Sequence, residues 1–144
     1  MDIELIKDIV DYGVLWVLGF MSFLSIFFYI ERLFFYSKID LKTYNHKQKL
    51  EIDLTNNINI ISSIASNSVY IGLLGTVFGI IITFYTMGET GQIDVKIIMS
   101  SLSLALKATA LGLIVAIPAM FFYNHLVRKI EVISSLWDIR RDEA

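Results

Sequence analysis

Apolar residues run without a charged break over three stretches: 12–30, 54–88, and 97–127, the last interrupted only by Lys107. Each stretch is long enough to cross about 30 Å of hydrocarbon as a helix, which takes about 20 residues. In lipid the helix is the favoured solution because it satisfies its own backbone polar groups. The second stretch would be about 52 Å long as one helix at 1.5 Å per residue. Its first part carries Asn56, Asn57, Asn59, Ser62, Ser63, Ser66 and Asn67, so it is expected outside the hydrocarbon. The spans are therefore placed at about 12–30, 68–87 and 99–123. Beyond the third, Leu126, Ile130, Ile133 and Trp137 recur at helical spacing beside charged residues, which predicts that the same helix continues with one apolar face. The fold class is an all-α membrane protein with the second and third helices extended beyond the bilayer, in a single membrane domain over 1–144.

Charge sets the orientation. Arg32, Lys38, Lys42, Lys47 and Lys49 fall between the first two spans, and Arg128, Lys129, Arg140 and Arg141 follow the third. The connection between spans two and three has one Lys and two acids. Basic loops stay on the cytoplasmic side, so 31–67 and 124–144 are expected inside, and 1–11 and 88–98 outside. The acidic start, with Asp2, Glu4 and Asp8, is unlike a cleaved signal peptide, so the first span is expected to remain as an anchor. At 18% charged residues and net charge −2, the chain offers no basic patch for nucleic acid. Without cysteine it has no disulfide, thiolate nucleophile or Cys-type metal site. His46 and His125 have no partners at metal-ligand spacing, and no nucleophile–base pair or phosphate loop is visible. Neither an enzyme nor a metal protein is expected.

The spans differ in character. The first is rich in Phe, Leu and Tyr with no clear stripe of small residues, which suits a lipid-facing helix. In the second, Ser68, Gly72, Gly75, Thr76, Gly79 and Thr83 share one face. In the third, Ser101, Ala105, Ala108, Thr109, Gly112, Ala116 and Ala119 do the same. Small residues let helix backbones approach and gain dispersion contact where no hydrophobic force acts between helices. Such stripes serve assembly alone, or they also carry the Thr76 and Thr109 hydroxyls toward water or a partner. Lys107 is the only charge within a span; an ammonium at the bilayer centre costs about 2.5–3.5 kcal/mol on insertion scales. No acid lies within the spans, which points to an acid on another polypeptide or to an unpaired Lys that gives up its charge more readily. Pro118 cannot donate to the carbonyl of Ile114, so a bend is expected there.

The motifs Ile71-Gly-Leu-Leu-Gly-Thr-Val-Phe-Gly-Ile80 and Ala105-Leu-Lys-Ala-Thr-Ala-Leu-Gly-Leu-Ile-Val-Ala-Ile-Pro-Ala-Met-Phe-Phe-Tyr-Asn124 resemble the two signature helices of the ExbB/TolQ/MotA proton-channel family. Three spans and a short basic loop are most similar to its ExbB branch. The resemblance implies an inner-membrane ring of five subunits enclosing helices of ExbD, whose membrane aspartate takes up and releases protons to energise TonB. Protons are then the coupling ion, with no other cofactor. It also implies that Thr76 and Thr109 face the partner's aspartate. The family motif usually has an aliphatic residue where Lys107 stands, so a place for Lys107 in the proton path or lumen is expected from its unbalanced charge alone. Gly72, Gly75, Gly79, Ala105, Gly112 and Ala116 are expected to pack the helices from their small-residue spacing. Many members carry a glutamate five residues before the second threonine; here that position is Leu104. A TolQ-like subunit working with TolR and TolA, or a non-conducting scaffold, shares the same spans.

Overall fold

The computed structural model describes residues 3–143. It is all-helical: α1 is Ile3–Lys38, α2 Lys47–Thr55, α3 Ile58–Thr90 and α4 Val95–Glu143, with a single 3-10 turn, Leu41–Thr43, between the first two. α1, α3 and α4 are long and apolar enough to cross a membrane. At 36, 33 and 49 residues each exceeds the span read from the sequence. α4 is about 73 Å long in all at 1.5 Å per residue, and its part beyond the span carries the apolar face seen in the sequence. Leu126 and Trp137 are buried, and Ile130 and Ile133 pack against the same core. α4 runs through Pro118 unbroken.

The polar stretch before the second span holds a break that its composition did not place. α2 ends at Thr55, and Asn57 takes a left-handed backbone, φ 68°, immediately before α3 begins. Asparagine is among the few side chains that tolerate this region. At the other end of α3, Gly91 at φ 67° closes the helix through its N–H to the carbonyl of Met87, an αL cap.

α3 and α4 form an antiparallel pair, and α1 lies across both. The small faces meet. Ser68, Gly72, Gly75, Thr76 and Thr83 of α3 are buried, as are Ala105, Gly112, Ala116 and Ala119 of α4. Gly72 and Gly112 mark the tightest point. A Cβ on Gly72 would lie 2.6 Å from the carbonyl oxygen of Ala108, and one on Gly112 would lie 2.6 Å from that of Ser68. α1 contrasts with this: nothing lies within 4 Å of where a Cβ would stand on Gly13 or Gly19. Its Tyr12, Trp16, Phe20, Phe23 and Phe27 are exposed, Trp16 at 78%, a surface that belongs in lipid rather than water.

One end of the molecule is held by polar clasps. α2 ends with carbonyls that have no partner in their own helix. Arg32, only 3% exposed, donates from Nη1 to the carbonyl of Asp53 at 2.9 Å, and the Tyr36 hydroxyl donates to that of Leu54. Glu31 balances the buried guanidinium, whose face lies over the Phe35 ring at 4.4 Å. The far end of α4 holds the other side. Trp137 Nε1–H donates to the carbonyl of Tyr44 at 3.1 Å, Arg141 donates to that of Asn45, and Lys47 pairs with Asp138 at 2.7 Å.

Candidate functional site

The buried polar centre between α3 and α4 is the Thr76–Thr109 pair. Thr76 is 8% exposed. Its hydroxyl lies 2.8 Å from the carbonyl of Ala105, 3.3 Å from that of Gly72, and against the hydroxyl of Thr109. A hydroxyl has one proton to donate and two lone pairs. The shorter carbonyl contact takes the Thr76 proton, so Thr109 is the donor between the two hydroxyls. Thr109 then keeps free acceptor capacity, and it is only partly buried. By rotating its own O–H outward it can donate instead. The pair can therefore accept a proton-bearing group or solvate an anionic one, without any charge of its own.

Small residues make this possible. Gly79 packs so that a Cβ on it would lie 2.9 Å from the Ala105 Cβ, and one on Gly75 would lie 2.8 Å from the Ala108 Cβ. Larger side chains at these positions would hold the helices apart and separate the hydroxyls. Other hydroxyls on the same face of α3 turn back on their own helix: Ser68 donates to Ile64 and Thr83 to Gly79. Thr76 alone reaches across to α4.

Of the residues singled out in the sequence, the two threonines and the six packing residues come together. Lys107 does not join them. It stands two positions from both Ala105 and Thr109, which turns it about 200° round the helix at 3.6 residues per turn. Its side chain is exposed and lines a separate cleft between α1 and α4 with Asp11. Pro118 is exposed, away from the pair.

Three groups take part in contacts that the sequence pattern does not place. Asp11 sits one position before the charge-free stretch, so it was counted as outside the membrane; only helix register brings it to Lys107. His125 has no metal-ligand spacing in the sequence; in the structure it is exposed, with its Nδ1 2.8 Å from the Tyr29 hydroxyl, and Tyr29 stacks on Phe122 with ring centroids 4.3 Å apart. Arg32 was read as one of several loop cations, but it is the buried one. In the segment between α1 and α3, the Tyr44 hydroxyl donates to Asp53 at 2.7 Å, and this bond holds the phenol up to about 12. The ion pair with Asp138 raises Lys47.

Comparison with known proteins gives concordant matches. Residues 30–139 match the MotA/TolQ/ExbB proton channel family. The chain is 54% identical over 137 residues to the biopolymer transport protein ExbB of Helicobacter pylori strain J99, covering 95% of this chain and 94% of that one. It is 50% identical over 127 residues to the biopolymer transport protein ExbB of Aquifex aeolicus, covering 88% and 86%. Against the Tol-Pal system protein TolQ of Haemophilus influenzae it is 36% identical over 94 residues, 65% of this chain and 41% of that one.

Proposed function

The chain belongs to the MotA/TolQ/ExbB proton channel family, and on that premise we propose that it is an ExbB-like subunit of a motor driven by the proton-motive force. Five copies form a ring in the bacterial inner membrane, with the N-terminus periplasmic and the C-terminus cytoplasmic. The ring encloses the single membrane helix of an ExbD-like partner, and the assembly energises TonB. α3 and α4 form the lumen wall and α1 faces lipid.

The observation that carries this reading is the Thr76–Thr109 pair on the joined small faces. A carboxylic acid on an enclosed helix, when protonated, donates to the free lone pair of Thr109. When it ionises, Thr109 turns its O–H outward to stabilise the carboxylate, leaving Thr76 satisfied by Ala105. The wall thus serves both protonation states of a partner's acid while the titrating group stays on the partner. Lys107, on the α1-facing side of α4, acts on this path through the packing of the wall rather than by direct contact.

The near full-length match to ExbB-named relatives favours the ExbB-like system. The shorter TolQ match leaves a TolR/TolA-type system as the second reading. Purification of the complex from native membranes tests both: an ExbD-like partner is expected, and a TolR-like one selects the second reading. Reconstituted in liposomes under a pH gradient and potential, the complex is expected to conduct protons, and Thr76→Val/Thr109→Val to abolish conduction while assembly persists. Absence of proton flux from the intact complex would favour a scaffold. Unaltered flux in the double variant would remove the threonines from the path.

A further inference from the structure

Lys107 and Asp11 share a cleft of 120 Å³ between the first half of α1 and the middle of α4. They are the only charged residues on its lining, which is otherwise Val10, Val14, Leu15, Leu104, Leu111 and small residues. The register of the helices is set nearby. A Cβ on Gly75 would lie 2.8 Å from the Ala108 Cβ and 3.2 Å from a methyl of Val14, so Val14 and Ala108 stand at one level. Lys107 precedes Ala108, and Asp11 precedes Val14 by three residues, less than one turn. α1 and α4 run the same way, since Val14 lies level with Ala108 and Tyr29 bonds His125. Helical side chains lean toward the N-terminus of their own helix, which carries the long Lys107 side chain toward the level of Asp11.

We propose that Asp11 is the counter-charge of Lys107, and that the two form an intrachain ion pair bridged by water, pinning α1 to α4 inside the membrane. Among the described residues the direct ion pairs are Arg32–Glu31, Lys47–Asp138 and Arg128–Glu131, so Asp11 and Lys107 are not in direct contact. The cleft has room for bridging water, which occupies about 30 Å³ per molecule in the liquid, and offers it polar partners on two sides. An intramembrane charge is costly unless it is paired or reaches water. The acid needed to balance Lys107 is thus present on its own chain, and no partner carboxylate is required for that purpose. This inference does not require Lys107 to touch the proton path: it places Lys107 in the joint between anchor and wall.

The test uses the full chain with its partner in native membranes. Because the chain has no cysteine, Asp11→Cys/Lys107→Cys introduces the only thiols in it. A short bis-maleimide is expected to join them within one chain. Covalent dimers, or no product, would overturn the assignment. Independently, Asp11→Asn and Lys107→Met each leave one unpaired charge and are expected to lower the amount of assembled complex about three- to tenfold. The double substitution Asp11→Asn/Lys107→Met and the exchange Asp11→Lys/Lys107→Asp are expected to restore most of it, as coupled residues do. Harmless single variants, or a double variant no better than Lys107→Met, would sink the pair. Rescue of Lys107→Met by neutralising an acid of the partner instead would move the counter-charge to the other chain.

Discussion

Gly72 and Gly112 face each other across α3 and α4 so closely that a Cβ on either would come within 3.1 Å of the other's Cα. Each would also meet a backbone carbonyl at 2.6 Å. Backbone cannot move aside as a flexible side chain can, so the contact fixes the separation of the two helices and, one turn further along α3, the meeting of Thr76 with Thr109.

Substituting either glycine by alanine or valine is therefore expected to force the helices apart. Overpacking of this kind costs about 1–3 kcal/mol, and Gly112→Val is expected to lower the melting temperature and ring yield of the detergent-solubilised complex. Gly19→Ala, where a Cβ meets nothing within 4 Å, is the control and is expected to leave both unchanged. Equal effects at both sites would show that the close approach is not what matters.

The threonines should separate on stability. Thr76 is the buried member, bonded across the interface to Ala105, whereas Thr109 is only partly buried. Thr76→Val removes the buried donor and is expected to cost about 0.5–1.5 kcal/mol, with Thr109→Val costing less. Thr76→Ser keeps the hydroxyl and should retain proton conduction. Thermal unfolding of the three variants, with flux measured in parallel, checks the order.

Tyr36→Phe should loosen the segment between α1 and α3. It leaves the buried carbonyl of Leu54 without its donor, a loss of about 1–3 kcal/mol. The visible result is faster tryptic cleavage at Lys42, Lys47 and Lys49 in inside-out vesicles. By contrast, Lys47→Met removes an exposed ion pair, which contributes little at a solvated surface, so its cleavage rate at the remaining sites should barely change.

Tyr44 gives a pH signature. Its phenol stands above the ordinary value of 10.0, at about 12, because it donates to the Asp53 carboxylate. A group raised in the folded state stabilises fully below its unfolded value and loses that contribution as pH rises through the folded one. The bond's contribution is thus intact up to pH 10 and lost between 10 and 12. Tyrosinate absorbance of the wild type minus that of Tyr44→Phe should show this late ionisation. A difference titration centred at the ordinary value would refute the bond.

Much of this architecture is legible in the residues themselves. Charge-free runs mark the three long helices because a bilayer tolerates little else. The small faces of α3 and α4 meet as their spacing implies, since only small side chains permit the approach. Leu126, Ile130, Ile133 and Trp137 similarly announce the continuation of α4. What escapes is whatever depends on register between helices. Asp11 lies one residue before an apolar run and reads as an interfacial acid until Val14 is found level with Ala108. Arg32 is indistinguishable in the sequence from the other loop cations; its burial comes from the end of α2 folding back onto α1. That end has a local signal in Asn56-Asn57, but a short polar helix leaves too weak a pattern to separate it from a loop.

The two halves of the clasp become available at different moments in the life of a nascent chain. Arg32 and Tyr36 reach partners only 21 and 18 residues downstream, so that half can close as soon as the first anchor and its loop have been synthesised. Trp137, Asp138 and Arg141 reach back across 93, 91 and 96 residues. Their half can close only when α4 has been threaded to its full length, and contacts of such separation form late because the loop between them must first be ordered. The tail of α4 therefore supplies the most sequence-distant of the contacts that dock the loop. A chain truncated before Trp137 is expected to keep its small faces but to lose these loop contacts, a difference in accessibility that limited proteolysis would read.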